Sequence, residues 1–207
     1  MTVEWLTRAL EESRARGFLG PNSLEPHLAH AEGFAITWNA LRSSQPEQFL
    51  DLGSGGGLPG LVLLERWDNF GVLLDSMHKR VALLNEVLTW PGAPENGRAV
   101  LGRAEEVARE PGYEGKFDLV TSRAFGPPSV TAECAVRFLK EGGLLIVSEP
   151  PESDSSKRWE SPALKTLGMT PLGFFRFETG YQVLEKSAKT PKMYPRTNGI
   201  PRKTPLF

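Results

Sequence analysis

Asp51-Leu52-Gly53-Ser54-Gly55-Gly56-Gly57-Leu58-Pro59-Gly60 is the stretch on which the fold turns. Before it, Phe49-Leu50-Asp51-Leu52 reads as a short apolar strand, and after it Gly60 to Arg66 can begin a helix. Glycines between a strand and a helix let backbone approach a ligand closely and reach conformations barred to other residues. The alternation continues outward. Gly71 to Asp75 is a second strand, and Lys79 to Trp90 a helix with Val81, Leu84, Val87 and Leu88 on one face. Ala99 to Leu101, Phe117 to Thr121 and Leu144 to Val147 are further strands, with a helix over Val130 to Leu139 before the last. Strands that alternate with helices predict a parallel sheet with crossover connections.

The rule breaks near the end. Phe174-Phe175-Arg176-Phe177 and Tyr181-Gln182-Val183-Leu184 are separated by a link around Thr179-Gly180 too short for a crossover, so they form an antiparallel hairpin. Pro150 to Ser161 is polar and proline-rich and reads as a loop. At the other end, Val3, Leu6 and Leu10 recur at helical spacing up to Gly17. Ser23 can cap a second helix with Leu24, Leu28, Ala31, Ala35 and Trp38 on one face. The fold class is therefore α/β, a mostly parallel sheet ending in an antiparallel hairpin. An N-terminal helical cap covers 1–47, the main domain 48–187, and a basic C-terminal tail 188–207.

The 207 residues are 40% hydrophobic and 24% charged, a composition that excludes global disorder. No run approaches the length of a membrane span, and the N-terminus lacks a signal-peptide apolar stretch. The single cysteine, Cys134, excludes an intramolecular disulfide framework and points to a reducing cytoplasm. His27 and His30 share a helical face without a third ligand nearby in sequence, so no metal is expected. Six cations and no acid follow Leu184 outside Glu185, namely Lys186, Lys189, Lys192, Arg196, Arg202 and Lys203; against a whole-chain charge of −1, this +6 leaves −7 on the rest. A basic tail on an acidic body suggests a phosphate-bearing or acidic partner.

Two cofactor classes use glycine loops of this kind. Gly55-x-Gly57-x-x-Gly60 fits the dinucleotide fingerprint. Asp51-x-Gly53-x-Gly55-x-Gly57, with its acid before the first glycine, fits the S-adenosylmethionine loop of class I methyltransferases, whose Rossmann-like sheet also ends in an antiparallel hairpin. Asp75 ends the second strand 22 residues after Gly53, where a carboxylate can meet ribose hydroxyls. Arg103-Ala104-Glu105-Glu106 follows the third strand and Ser122-Arg123-Ala124-Phe125 the fourth. All lie beyond carboxyl ends of strands, so one crevice can contain them.

With these residues the chain resembles the glucose-inhibited division protein B family, the bacterial 16S rRNA guanine-N7 methyltransferases. The glycine loop, Ser122 to Phe125, and the tail from Lys189-Thr190-Pro191-Lys192-Met193-Tyr194-Pro195-Arg196 through Gly199-Ile200-Pro201 to Pro205-Leu206 carry the resemblance. It implies S-adenosylmethionine as cofactor, with contacts from Gly53, Leu58, Ala104, Glu105 and Arg123, to which the loop reading adds Asp51, Gly55 and Asp75. It implies 16S rRNA, or a small-subunit precursor, as partner; the chain is expected to be a monomer and to meet no membrane. The family's arginine-histidine and aspartate-serine pairs are replaced by Pro26-His27-Leu28-Ala29-His30-Ala31, and its lysine-glycine after the fifth strand by Ser148-Glu149-Pro150-Pro151.

Guanine N7 carries a free lone pair, so transfer to it needs positioning and no general base. Arg123 and Phe125 are the positioning candidates, the latter by stacking on the target base. Lys189, Lys192, Tyr194 and Arg196 combine charge with an aromatic ring, a mixture suited to RNA. If the tail is a separable RNA anchor, deleting 188–207 leaves cofactor binding intact. Two alternatives remain at this level: a divergent methyltransferase of a small molecule or another RNA, and an RNA-binding module without turnover.

Overall fold

A computed structural model describes residues 4–150, 155–177 and 179–207. Helices α1 (Glu4–Ala15) and α2 (Leu24–Leu41) precede β1 (Gln48–Leu52), α3 (Gly60–Arg66), β2 (Phe70–Asp75), α4 (His78–Val87), β3 (Gly97–Leu101), α5 (Ala104–Val107), β4 (Phe117–Ser122), α6 (Pro128–Ala135) and β5 (Leu139–Glu149). Then follow α7 (Ser155–Arg158), α8 (Pro162–Leu167), β6 (Met169–Arg176), β7 (Gly180–Lys186) and α9 (Ile200–Lys203). The sheet order is β3-β2-β1-β4-β5-β7-β6. Strands β1 to β5 pair in parallel, and β7 is antiparallel to both β5 and β6.

Strand periodicity divides the apolar residues between two cores. In β1, Phe49 packs with α1 to α4 on one face, while Leu50 and Leu52 pack with α5, α6 and α8 on the other. The cap helices thus share one core with α3 and α4: Trp5, Leu10, Phe34 and Trp38 cluster with Leu61 and Leu84. Tyr194 of the tail belongs to the opposite core.

Some boundaries differ from the sequence reading. Val3 and residues 151–154 of the expected loop lie outside the described residues. The helix expected over Val130 to Leu139 ends at Ala135, and Leu139 already pairs with Phe117 as the start of β5. Gly142 and Gly143 mimic a turn in sequence but lie inside this strand. Strand β6 begins at Met169, earlier than expected, and carries Pro171 on the edge of the sheet, where a missing N–H is tolerated.

Candidate cofactor and substrate site

The glycine loop is tied to the sheet by its own amides. Gly53 and Ser54 donate to the Leu74 carbonyl at 2.8 and 3.0 Å, and Gly55 donates to Asp75 Oδ2 at 2.9 Å. Gly57 donates to the Ser54 carbonyl, and the Leu61, Val62 and Leu63 amides of α3 go to the carbonyls of Gly57 and Pro59. A dinucleotide pyrophosphate needs such amides free. With most of them spent internally, few remain for a pyrophosphate.

Asp51, expected at the cofactor, is held inside the loop. It is 1% exposed, with Oδ2 accepting from Gly60 N–H and Oδ1 from Thr121 Oγ1–H, both at 3.0 Å. It therefore clamps the end of the loop to β4 from the α3 face. Burial pushes its carboxyl up to about 6, against the opposing effect of these hydrogen bonds. Gly60 is required at this close approach, because a Cβ there would lie 2.1 Å from Leu73 Cδ2. Leu58 is likewise in the core beneath the loop, and not on the cavity wall.

A cavity of about 410 Å³ opens above the carboxyl ends of the strands. Gly53, Asp75, Ala104 and Glu105 line it. Gly53 has φ +75°, and a Cβ there would meet the Phe125 ring at 2.7 Å. The Asp75 carboxylate is oriented by Met77 N–H at 2.8 Å and by Gly55, with Arg80 at 3.4 Å. The far wall comes from α6 and the tail: Val130, Cys134, Asn198, Gly199, Arg202 and Lys203. Sequence reasoning missed this wall. No local pattern in Asn198-Gly199 says where the tail lands. Burial raises the Cys134 thiol well above its ordinary range, so it is an inert wall residue.

A second cavity of about 500 Å³ lies on the other side of Ala124 and Phe125, which line both. Arg123 lines this second cavity and not the first. Ala124 takes φ +55°, a left-handed conformation that costs a non-glycine residue about 1 kcal/mol or more. The strain sits at the partition. Helix α2 brings His27 and His30 to Arg123, and Arg123 Nη2 donates to His27 Nδ1 at 2.9 Å. A guanidinium only donates, so His27 carries its proton on Nε2. Burial first, then the Arg123 charge, lowers both histidines, His30 to about 4. Arg123 Nη1 and both histidine Nε2 atoms are buried without a partner among the described residues. Buried polar atoms of this kind mark where a polar ligand completes the site.

The tail is stitched to the domain. The buried Glu133 carboxylate accepts from Arg196 Nη2 at 2.7 Å, from its Nε at 2.9 Å and from its backbone N–H at 2.8 Å. Arg137 donates to the Tyr194 and Pro191 carbonyls, and Gly199 N–H donates to Glu105 Oε1 at 3.0 Å. Tyr194 is buried and Arg196 is consumed by its ion pair, which corrects their expected exposure to RNA. Lys186 turns inward to the Leu139 carbonyl. Lys189, Lys192, Arg202 and Lys203 remain on the surface.

Comparison with known proteins decides the family. Residues 27–160 match rRNA small subunit methyltransferase G (GidB). The chain belongs to the GidB family. A ribosomal RNA small subunit methyltransferase G of Lactococcus lactis is 34% identical over 194 residues, covering 88% of this chain and 79% of the relative. One of Streptococcus pyogenes is 33% identical and covers all of this chain and 87% of the relative. The SAH-bound methyltransferase PaMTH1 of Podospora anserina shares the fold, with a TM-score of 0.59 at 15% identity, covering 89% of this chain and 88% of that one. The GidB match includes the loop, both α2 histidines, and β4 and β5 with most of the second cavity's lining.

Proposed function

We propose that this protein transfers a methyl group from S-adenosylmethionine to N7 of a guanine in small-subunit (16S) ribosomal RNA. The observation that carries this reading is the pair of cavities that meet at Ala124 and Phe125. The first fits the cofactor: Asp75 would hold the ribose hydroxyls, Ala104 and Glu105 the adenine, and Gly53 the amino-acid portion. When bound, the cofactor supplies an electrophilic methyl on a sulfonium.

The chain's own residues position and shield. Gly53 lets the Phe125 ring close over the loop. Arg123, held by His27, orients the incoming base from the second cavity. His30, neutral down to about pH 4, is too weak a base to drive deprotonation, and N7 needs none. The RNA backbone would meet exposed Lys189, Lys192, Arg202 and Lys203, so binding weakens with salt as counterions are released.

The test is transfer of labelled methyl from S-adenosylmethionine to small-subunit RNA or subunits by the purified protein, with the product nucleoside identified. N7-methylguanosine at one position supports the reading. Methylation of an exocyclic amine, or of no RNA substrate, overturns it.

A further inference from the structure

Glu149 ends β5 on the wall of the second cavity, across from Arg123 at the end of neighbouring β4. It is 4% exposed. Trp159 Nε1–H donates to its Oε1 at 2.9 Å, and the Arg158 guanidinium pairs with Oε2. Trp159 is itself fully buried, so its ring fixes the plane of the carboxylate. A carboxylate held in a core costs desolvation that an apolar residue would avoid. Each of its oxygens can accept more than one hydrogen bond.

The cavity therefore presents two opposite chemistries. Arg123 Nη1 is a buried donor with no partner among the described residues, and Glu149 is an acceptor only. Starting from N7, the edge of guanine runs acceptor at O6, donor at N1–H, donor at the N2 amine. Adenine has the reverse at its corresponding positions, a donor at N6 and an acceptor at N1.

We propose that Glu149 specifies guanine by accepting from N1–H and the N2 amine while Arg123 donates to O6, leaving N7 toward the Ala124–Phe125 partition. This rests on the reading of guanine N7 as the methyl acceptor. As N7 attacks, its lone pair becomes the new N–C bond, and the C–S bond breaks with its electrons retained by sulfur. The positive charge passes from the sulfonium into the purine ring. N1–H becomes more acidic, and its hydrogen bond to Glu149 strengthens in the transition state, where it accelerates transfer.

The experiment compares wild type and Glu149→Gln on small-subunit RNA carrying guanine or inosine at the methylated position. Inosine keeps N7, O6 and N1–H and lacks only the N2 amine. Wild type should favour guanine by about 10-fold or more, and the variant should transfer to guanine roughly 10- to 100-fold more slowly and lose most of that preference. Glutamine still accepts from Trp159, and unchanged S-adenosylhomocysteine affinity certifies the fold. A binding readout is independent of turnover: wild type should hold cationic 7-methylguanosine monophosphate more tightly than guanosine monophosphate, and the variant should not. Wild type that methylates guanine and inosine RNA equally overturns the proposal, whatever the variant does. So does a folded variant with an unmoved guanine-to-inosine ratio. Wild type that makes no N7-methylguanosine overturns the parent reading as well.

Discussion

The two cavities on either side of Ala124 and Phe125 are finished to different degrees. The first has most of its loop amides spent and its Asp75 carboxylate oriented by Met77 and Gly55. The second leaves Arg123 Nη1 and His30 Nε2 buried and unpaired among the described residues. A ligand of the first inherits a rigid cradle; a ligand of the second must supply missing hydrogen-bond partners. The difference fits a small cofactor that binds by itself and a base delivered from a large RNA.

The strongest way to break the contrast is through the tail, which walls only the first cavity. Deleting 188–207 orphans the buried Glu133 and removes two carbonyl acceptors of Arg137, leaving it only Glu114 among its described partners. An uncompensated buried charge costs about 3–5 kcal/mol. Denaturant unfolding should show a loss of that size, with cofactor binding lost too. This reverses the expectation that the tail is separable. A truncated protein with unchanged midpoint and cofactor affinity would return the tail to the status of an appendage.

Asp51 gives the next effect. Asp51→Ala removes the acceptors of Gly60 N–H and Thr121 Oγ1–H and should cost about 1–3 kcal/mol. Asp51→Asn can accept from Gly60 and donate to Thr121, so it should stay near wild type in stability and in S-adenosylhomocysteine affinity. If the asparagine variant folds normally yet binds the cofactor no better than the alanine variant, the acid acts on the cofactor directly.

The smallest effect is in acid. His30 falls to about 4 in the fold from 6.5, so between these values the unfolded chain binds more protons. Its contribution to stability is therefore lost as pH falls from 6.5 toward 4. Asp51 acts oppositely, being raised to about 6 from 3.8, and is common to both proteins compared. Relative to His30→Asn, wild type should lose stability over that interval and run parallel above it. Parallel curves throughout would place His30 in solvent.

The same division governs what could be read from the sequence. Strand β1, the loop and α3 are local: an apolar run, glycines and a helix start within residues 48–66. The second cavity needs His27 beside Arg123, 96 positions apart, and the tail needs Arg196 on Glu133, 63 apart. No local pattern announces such pairs, so Arg196 and Tyr194 looked like exposed RNA contacts when they hold the fold. Asp51 was visible as part of a motif, but only its two hydrogen bonds reveal a clamp where a ligand contact was expected.

The central claim is that the cavities divide the work, and parallel measurement of S-adenosylhomocysteine affinity and single-turnover methyl transfer in Asp75→Ala and Arg123→Ala tests it most directly. Asp75→Ala should weaken S-adenosylhomocysteine binding by about 1.5–3 kcal/mol through loss of charge-assisted hydrogen bonds. Arg123→Ala should leave that affinity within about 2-fold while slowing transfer roughly 10- to 100-fold at saturating cofactor. Equal losses of cofactor affinity in both variants, or full transfer by Arg123→Ala, would contradict the account.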